Sequence, residues 1–194
     1  MDRMGRLSSR NAATSLSRLL DRKVNVRFSD IFFLPLDDIQ YLLGDPGTLV
    51  VGIHHELQVD LDGSLLTLIP LELAREHLCS MLKKDINDEF VASPTGYSCL
   101  GELSNILCGS YISIISNLLN ITIIPSAPQV TIDMMGAITQ DSILKLNQET
   151  VYALTVKSEL LIAENVISIN LLLLLEQESI NKIIDKIDLK VGID

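Results

Sequence analysis

At 194 residues the chain is long enough for one domain with a sizeable core. With no Trp, four Phe and four Tyr, that core has to be built from Leu, Ile and Val. A formal net charge of −10 disfavours nucleic acid and anionic membrane as partners and favours a basic surface on another protein. The three cysteines, Cys79, Cys99 and Cys108, are an odd number with no CxxC pair and no His at metal-ligand spacing, so they read as small hydrophobes in a reducing compartment.

In chain order, a first helix is expected from about Arg3 to Leu20, with Leu7, Ala13, Leu16, Leu19 and Leu20 apolar. Two short extended pieces follow, Val24 to Phe28 and Ile31 to Leu34, closed by Pro35, which cannot donate to a ladder. A short helical turn at Asp37 to Leu43 precedes the Gly44-Asp45-Pro46-Gly47 break. Thr48 to Val59 and Gly63 to Leu68 read as a hairpin about Asp60-Leu61-Asp62-Gly63, and Pro70 opens a helix through about Lys84. Asp85 to Tyr97, polar and holding Pro94 and Gly96, reads as a linker.

After it comes the stretch around which the chain is organised, Ser98 to Asn120. At about 100° per residue, Leu100, Leu103, Leu107, Tyr111, Ile114 and Leu118 share one apolar face. Opposite them Ser98, Glu102, Asn105, Gly109, Ser113 and Ser116 form a narrow stripe with a single charge. A carboxylate and an amide at i and i+3 project side by side, and the Gly and Ser residues beyond leave a low-relief strip on which another protein could lie. Strands follow near Ile121 to Ile124 and Gln129 to Ile138, then a long pair, Thr150 to Ile162 and Asn165 to Leu175, turning at Ala163-Glu164. A last helix capped near Ser179 runs to about Asp188, with Ile180, Ile183, Ile184 and Ile187 on one face.

The second half repeats the first. An offset of 99 residues pairs Leu7 with Ile106, Ser17 with Ser116, Leu19 with Leu118, Leu20 with Leu119 and Val24 with Ile123. The expectation is a single 1–194 domain of α/β or α+β class, with repeat halves 1–90 and 97–194 sharing one sheet. MDRMGRLSSR does not look like a signal peptide. The longest apolar run, Val166 to Leu175, is broken by Ser168 and Asn170 and falls short of the roughly 20 residues that span a bilayer. A soluble cytoplasmic protein with no membrane insertion is therefore expected.

Residues 101–138, GELSNILCGSYISIISNLLNITIIPSAPQVTIDMMGAI, resemble the second signature of the CheC family of chemotaxis phosphatases, related to CheX and FliY. RNAATSLSRLLDRKV, residues 10–24, resembles the end of that family's first signature. The family's motif, Asp or Ser, three residues, Glu, two residues, Asn, is matched by Ser98, Glu102 and Asn105. The resemblance implies hydrolysis of the aspartyl phosphate of the response regulator CheY. Asn105 would orient the attacking water, Glu102 would pair with the regulator's Lys, and Ser98 and Gly109 would be docking contacts. It implies no cofactor of the chain's own, Mg²⁺ being supplied by the regulator. In the first half the same offset puts Arg3 under Glu102 and Arg6 under Asn105, so that site is expected to be degenerate and inactive. Phosphorylated CheY is the expected partner, the receptor deamidase CheD a second one, and the protein is expected to act as a monomer. The competing reading is a non-catalytic adaptor that binds CheD or CheY in receptor adaptation.

Three other signals carry less. His54 and His55, adjacent on a strand, point to opposite faces and cannot easily share a metal, which leaves solvated or edge-strand histidines. Asp60, Asp62 and Gly63 resemble the start of a calcium loop, but Leu71 stands where its twelfth-position Glu would be. Met134 and Met135 read as strand core.

Overall fold

The computed structural model describes residues 2–21, 23–146, 152–162 and 165–191. Its frame is a seven-stranded antiparallel sheet built from β1 (Val24–Pro35), β2 (Leu49–Val59), β3 (Gly63–Pro70), β4 (Ile123–Pro125), β5 (Gln129–Met134), β6 (Tyr152–Ile162) and β7 (Asn165–Leu175). The order across the sheet is β1-β6-β7-β3-β2-β4, with β5 also pairing with β2, so the hairpins β2–β3 and β6–β7 stand back to back at the centre. Each outer position is filled from the opposite half of the chain, β1 on β6 and β4 with β5 on β2. An all-antiparallel sheet with its helices packed on it is the α+β class.

The central strands are buried on both faces, and their sequences show it. In β7 Leu171, Leu173 and Leu175 join the larger core cluster, while Leu172 and Leu174 join a smaller one on the other face. β3 alternates likewise, Leu65 and Ile69 on one side, Leu66 and Leu68 on the other. The larger cluster lies under α1 (Asp2–Leu20), α3 (Leu71–Leu82), α5 (Pro94–Leu119) and α7 (Gln177–Val191). The smaller lies under α2 (Ile39–Leu43), which follows a 3₁₀ turn at Leu36–Asp38, and α6 (Met135–Leu144). Each fully buried Leu or Ile contributes about 1.5–3 kcal/mol.

α1 and α5 pack against each other across the sheet. α1 ends at Leu20 and α5 at Leu119, each followed by a left-handed residue, Asp21 at φ 50° and Asn120 at φ 54°; β1 and β4 then open at Val24 and Ile123. All three pairs of positions are separated by the 99 residues read from the sequence.

Four expectations need correction. The two extended pieces before Pro35 are one strand, β1, whose register on β6 shifts between Phe28 and Ile31. The supposed linker is largely helical. Asn87 caps α4 (Asp88–Val91), accepting from the Phe90 N–H, and Ser93 caps α5, accepting from the Gly96 N–H with Pro94 in its first turn. The strand expected to reach Ile138 stops at Met134. The next residues turn into α6 because the Met135 and Gly136 N–H groups donate to Thr48 and Pro46 carbonyls, so Met134 is an exposed strand end and Met135 a buried first helical residue rather than strand core. Ser179 does not cap the last helix; it lies buried in the first turn of α7, where its hydroxyl accepts the Asp62 N–H of the β2–β3 hairpin. The Ala163-Glu164 turn, Thr150 and the Ile187 side chain lie outside the described residues.

The Asp60–Gly63 turn closes the hairpin as expected. Gly63 sits at φ +150°, where an added Cβ would stand 2.2 Å from the Leu174 carbonyl oxygen, so only glycine fits. The Asp60 carboxylate accepts the Thr122 N–H at 2.7 Å and the Asp60 N–H donates to the Thr122 carbonyl, which ties the turn to the residue before β4.

Candidate functional site

The side chains of α5 divide as its sequence periodicity requires. Leu100, Leu103, Leu107, Tyr111, Ile112, Ile115 and Leu119 are buried against the sheet and α1, while Ile114 and Leu118 are only half buried. By length and composition α5 could cross a membrane, but its apolar side is spent on this core. On the other side Ser98, Glu102, Asn105 and Ser113 are exposed, with Gly109 and Ser116 half buried. Because α5 begins at Pro94, Ser98 stands in its second turn and not at a helix end.

Glu102 and Asn105 are one turn apart, with Cβ atoms roughly 5–6 Å from each other. Among the described residues neither side chain has a hydrogen-bond or ion-pair partner. A carboxylate and an amide held side by side in solvent, with no partner among the described residues, can pair with a cation and orient a water. Past them the strip stays low: a Cβ built on Gly109 meets nothing within 4 Å, and the Ser113 hydroxyl turns back to the Gly109 carbonyl at 2.7 Å. Arg3 and Arg6, the counterparts of Glu102 and Asn105, fall in the first turns of α1, and their side chains lie outside the described residues.

Beneath the strip is a buried polar cluster that sequence reasoning missed. His55 is neither solvated nor on an edge strand; it is 0% exposed on β2, which is paired on both sides. Its Nδ1 lies 2.9 Å from the Ser126 carbonyl and its Nε2 2.9 Å from Ser104 Oγ, which in turn lies 3.2 Å from Thr67 Oγ1 on β3. Burial lowers the His55 pKa from its ordinary 6.5 and favours the neutral ring. His54 points to the opposite face, as the strand period demands, and its pKa is also lowered, first by burial and then by Lys145. The one available sequence signal was Ser104 itself, a polar residue on the apolar face of α5.

The cysteines are free thiols, Cys108 buried and Cys79 and Cys99 half buried. Burial pushes the Cys108 pKa up to about 12 and raises that of Cys99, which disfavours the thiolate at both. Among the described residues no cluster of His, Cys, Asp and Glu could hold a metal.

Residues 97–132, which hold the Glu102–Asn105 pair, match the CheC-like family. Over 163 residues, 81% of this chain and 76% of the relative, the sequence is 26% identical to the CheY-P phosphatase CheC of Bacillus subtilis (strain 168). The fold is similar to that of FliY from Thermotoga maritima, with a TM-score of 0.68, 18% identity and 96% of each chain covered. It is also similar to the FliM middle domain of H. pylori, with a TM-score of 0.61, 13% identity and 94% and 93% of the two chains covered. The resemblance to the CheC family drawn from the sequence is thereby shown, by the family match across the α5 strip and by a curated relative along most of the chain.

Proposed function

We propose that this protein is a phosphatase for the aspartyl phosphate of phosphorylated CheY, working through one site made by Glu102 and Asn105. The observation that carries the reading is the pair itself, exposed and, among the described residues, unpartnered on one long helix within the stretch that matches the CheC-like family. The name of the B. subtilis relative supports the same substrate.

An acyl phosphate is already activated, so no covalent enzyme intermediate is needed. Water attacks phosphorus; the new P–O bond forms as the bond to the aspartyl oxygen breaks, releasing the carboxylate and, once the water proton is lost, inorganic phosphate. The Asn105 amide oxygen accepts a hydrogen bond from that water and holds it in line with the leaving oxygen, which is positioning rather than base catalysis. Glu102 pairs with the regulator's Lys and fixes register. The regulator brings its own Mg²⁺, so this chain needs no cofactor. Ser98 and Gly109 border the contact, and the Arg3–Arg6 positions of α1 give no second site, since an Arg pair repels a Lys and cannot accept a water proton. The protein acts in the cytoplasm, as a monomer.

The test is the decay of phosphorylated CheY from the same organism, alone and with wild type, Asn105→Ala or Arg6→Ala. Accelerated decay that Asn105→Ala abolishes and Arg6→Ala preserves is the expected result. Binding of CheY or CheD without acceleration would establish the adaptor reading instead.

A further inference from the structure

With the buried His55 ring neutral, the hydrogen bonds of the cluster have one consistent direction. A carbonyl cannot donate, so His55 Nδ1 carries the proton and donates to the Ser126 oxygen. In the neutral ring Nε2 is then an acceptor, and the Ser104 hydroxyl donates to it. The Ser104 oxygen is left to accept from the Thr67 hydroxyl. His55, Ser104 and Thr67 are each 0% exposed, so every member depends on the others for its partner.

The cluster joins the parts that surround the strip. Ser104 lies between Glu102 and Asn105 in sequence, so the rotation that aims it at β2 sets the directions of both, about 200° and 100° around the helix. Leu and Ile contacts are non-directional and tolerate a slide or a small turn of the helix, whereas a hydrogen-bonded pin does not. The other nitrogen of His55 holds Ser126, in the loop between β4 and β5, and Pro128 of that loop rests on Gly101, where an added Cβ would be 3.1 Å from Pro128 Cγ. One side chain therefore ties both the helix and the loop beside it to the sheet.

We propose that His55 and Ser104 are positioning residues for the α5 strip, fixing the rotation that presents Glu102 and Asn105 together to the phosphorylated regulator. The inference rests on the phosphatase reading above. The experiment measures kcat and KM for phosphorylated CheY with wild type, Asn105→Ala, Ser104→Ala and Leu172→Ala, below the unfolding temperature of each. Leu172→Ala opens a cavity in the small cluster on the opposite face of the sheet and reports on instability alone.

Ser104→Ala is expected to lower kcat about 10- to 100-fold, the scale of a misplacement near 1 Å, with KM changed no more than about threefold and Leu172→Ala within about twofold of wild type. If Ser104→Ala does not fold, Thr67→Val, which removes one donor at constant shape, is expected to lower kcat about threefold. Should the serine variant, or the valine variant in its place, turn over no more slowly than Leu172→Ala, the inference is overturned while an inactive Asn105→Ala keeps the phosphatase reading. A wild type without activity overturns both.

Discussion

The long helices α1 and α5 are built to one plan and finished differently. Both lie on the same face of the sheet and end at a left-handed residue three positions before a strand. At the offset of 99, however, the positions of Glu102, Asn105, Gly109, Ser113 and Ser116 on α5 are occupied on α1 by Arg3, Arg6, Arg10, Thr14 and Ser17. The position of Ser104 is occupied by Gly5, which has no hydroxyl to reach into a sheet. The difference between the helices thus extends from the two exposed positions to the buried one between them. Exposed polar residues cost a fold little to change and a buried hydrogen-bonded one costs much, so the contrast teaches that α5 joins the proposed reacting pair to a buried hydroxyl tied to the sheet, where α1 has neither.

The strongest way to break this contrast is to give α5 the surface of α1. Glu102→Arg with Asn105→Arg alters two exposed, unpartnered side chains. Stability should stay within about 0.5 kcal/mol of wild type, while acceleration of CheY-P decay should fall by at least about 100-fold, because the water loses its acceptor and the regulator's Lys meets like charge. Thermal unfolding and the decay assay on one preparation check both. A doubly substituted protein that kept its rate would remove the site from α5.

A smaller effect separates the far ends of the two helices. β4 is tied after α5 by Asp60, from the other half of the chain, whereas β1 is tied after α1 by that helix's own Ser17, which accepts the Val24 N–H at 2.9 Å. Asp60→Ala should cost about 1.5 kcal/mol in denaturant unfolding. Its rate should hold, because 14 residues of helix put the end of α5 about 21 Å from Asn105.

Much of this could be read in the sequence because it follows from local rules. The 3.6-residue period of α5 placed Glu102 and Asn105 on the exposed side, and the Asp-Leu-Asp-Gly turn placed the β2–β3 hairpin. The cluster under the strip could not be read, since His55, Ser104 and Ser126 meet only after two crossings of the sheet and each looks ordinary beside its own neighbours. α6 was hidden for a similar reason: its start is fixed by carbonyls of Pro46 and Thr48 some 90 residues earlier. The α5 start was different. Ser93-Pro94 is a cap followed by a first-turn proline, a local signal outweighed by the polar composition around it.

Gly109 offers the finest division of the two helices. Its counterpart on α1 is the exposed Arg10, and space above it is open, so Gly109→Ala meets no clash and removes a helix-interior glycine. Helix propensity alone should then stabilise the protein by about 1 kcal/mol, or about 2–4 °C in Tm for a chain of this size. A regulator backbone lying close on the strip would meet the new methyl group, and KM for phosphorylated CheY should rise severalfold while Tm rises too. That pairing of a gain in stability with a loss of affinity is hard to obtain from damage to the fold. If Tm rises and KM does not move, the docking surface ends at Asn105, and what distinguishes α5 from α1 contracts to its first three turns.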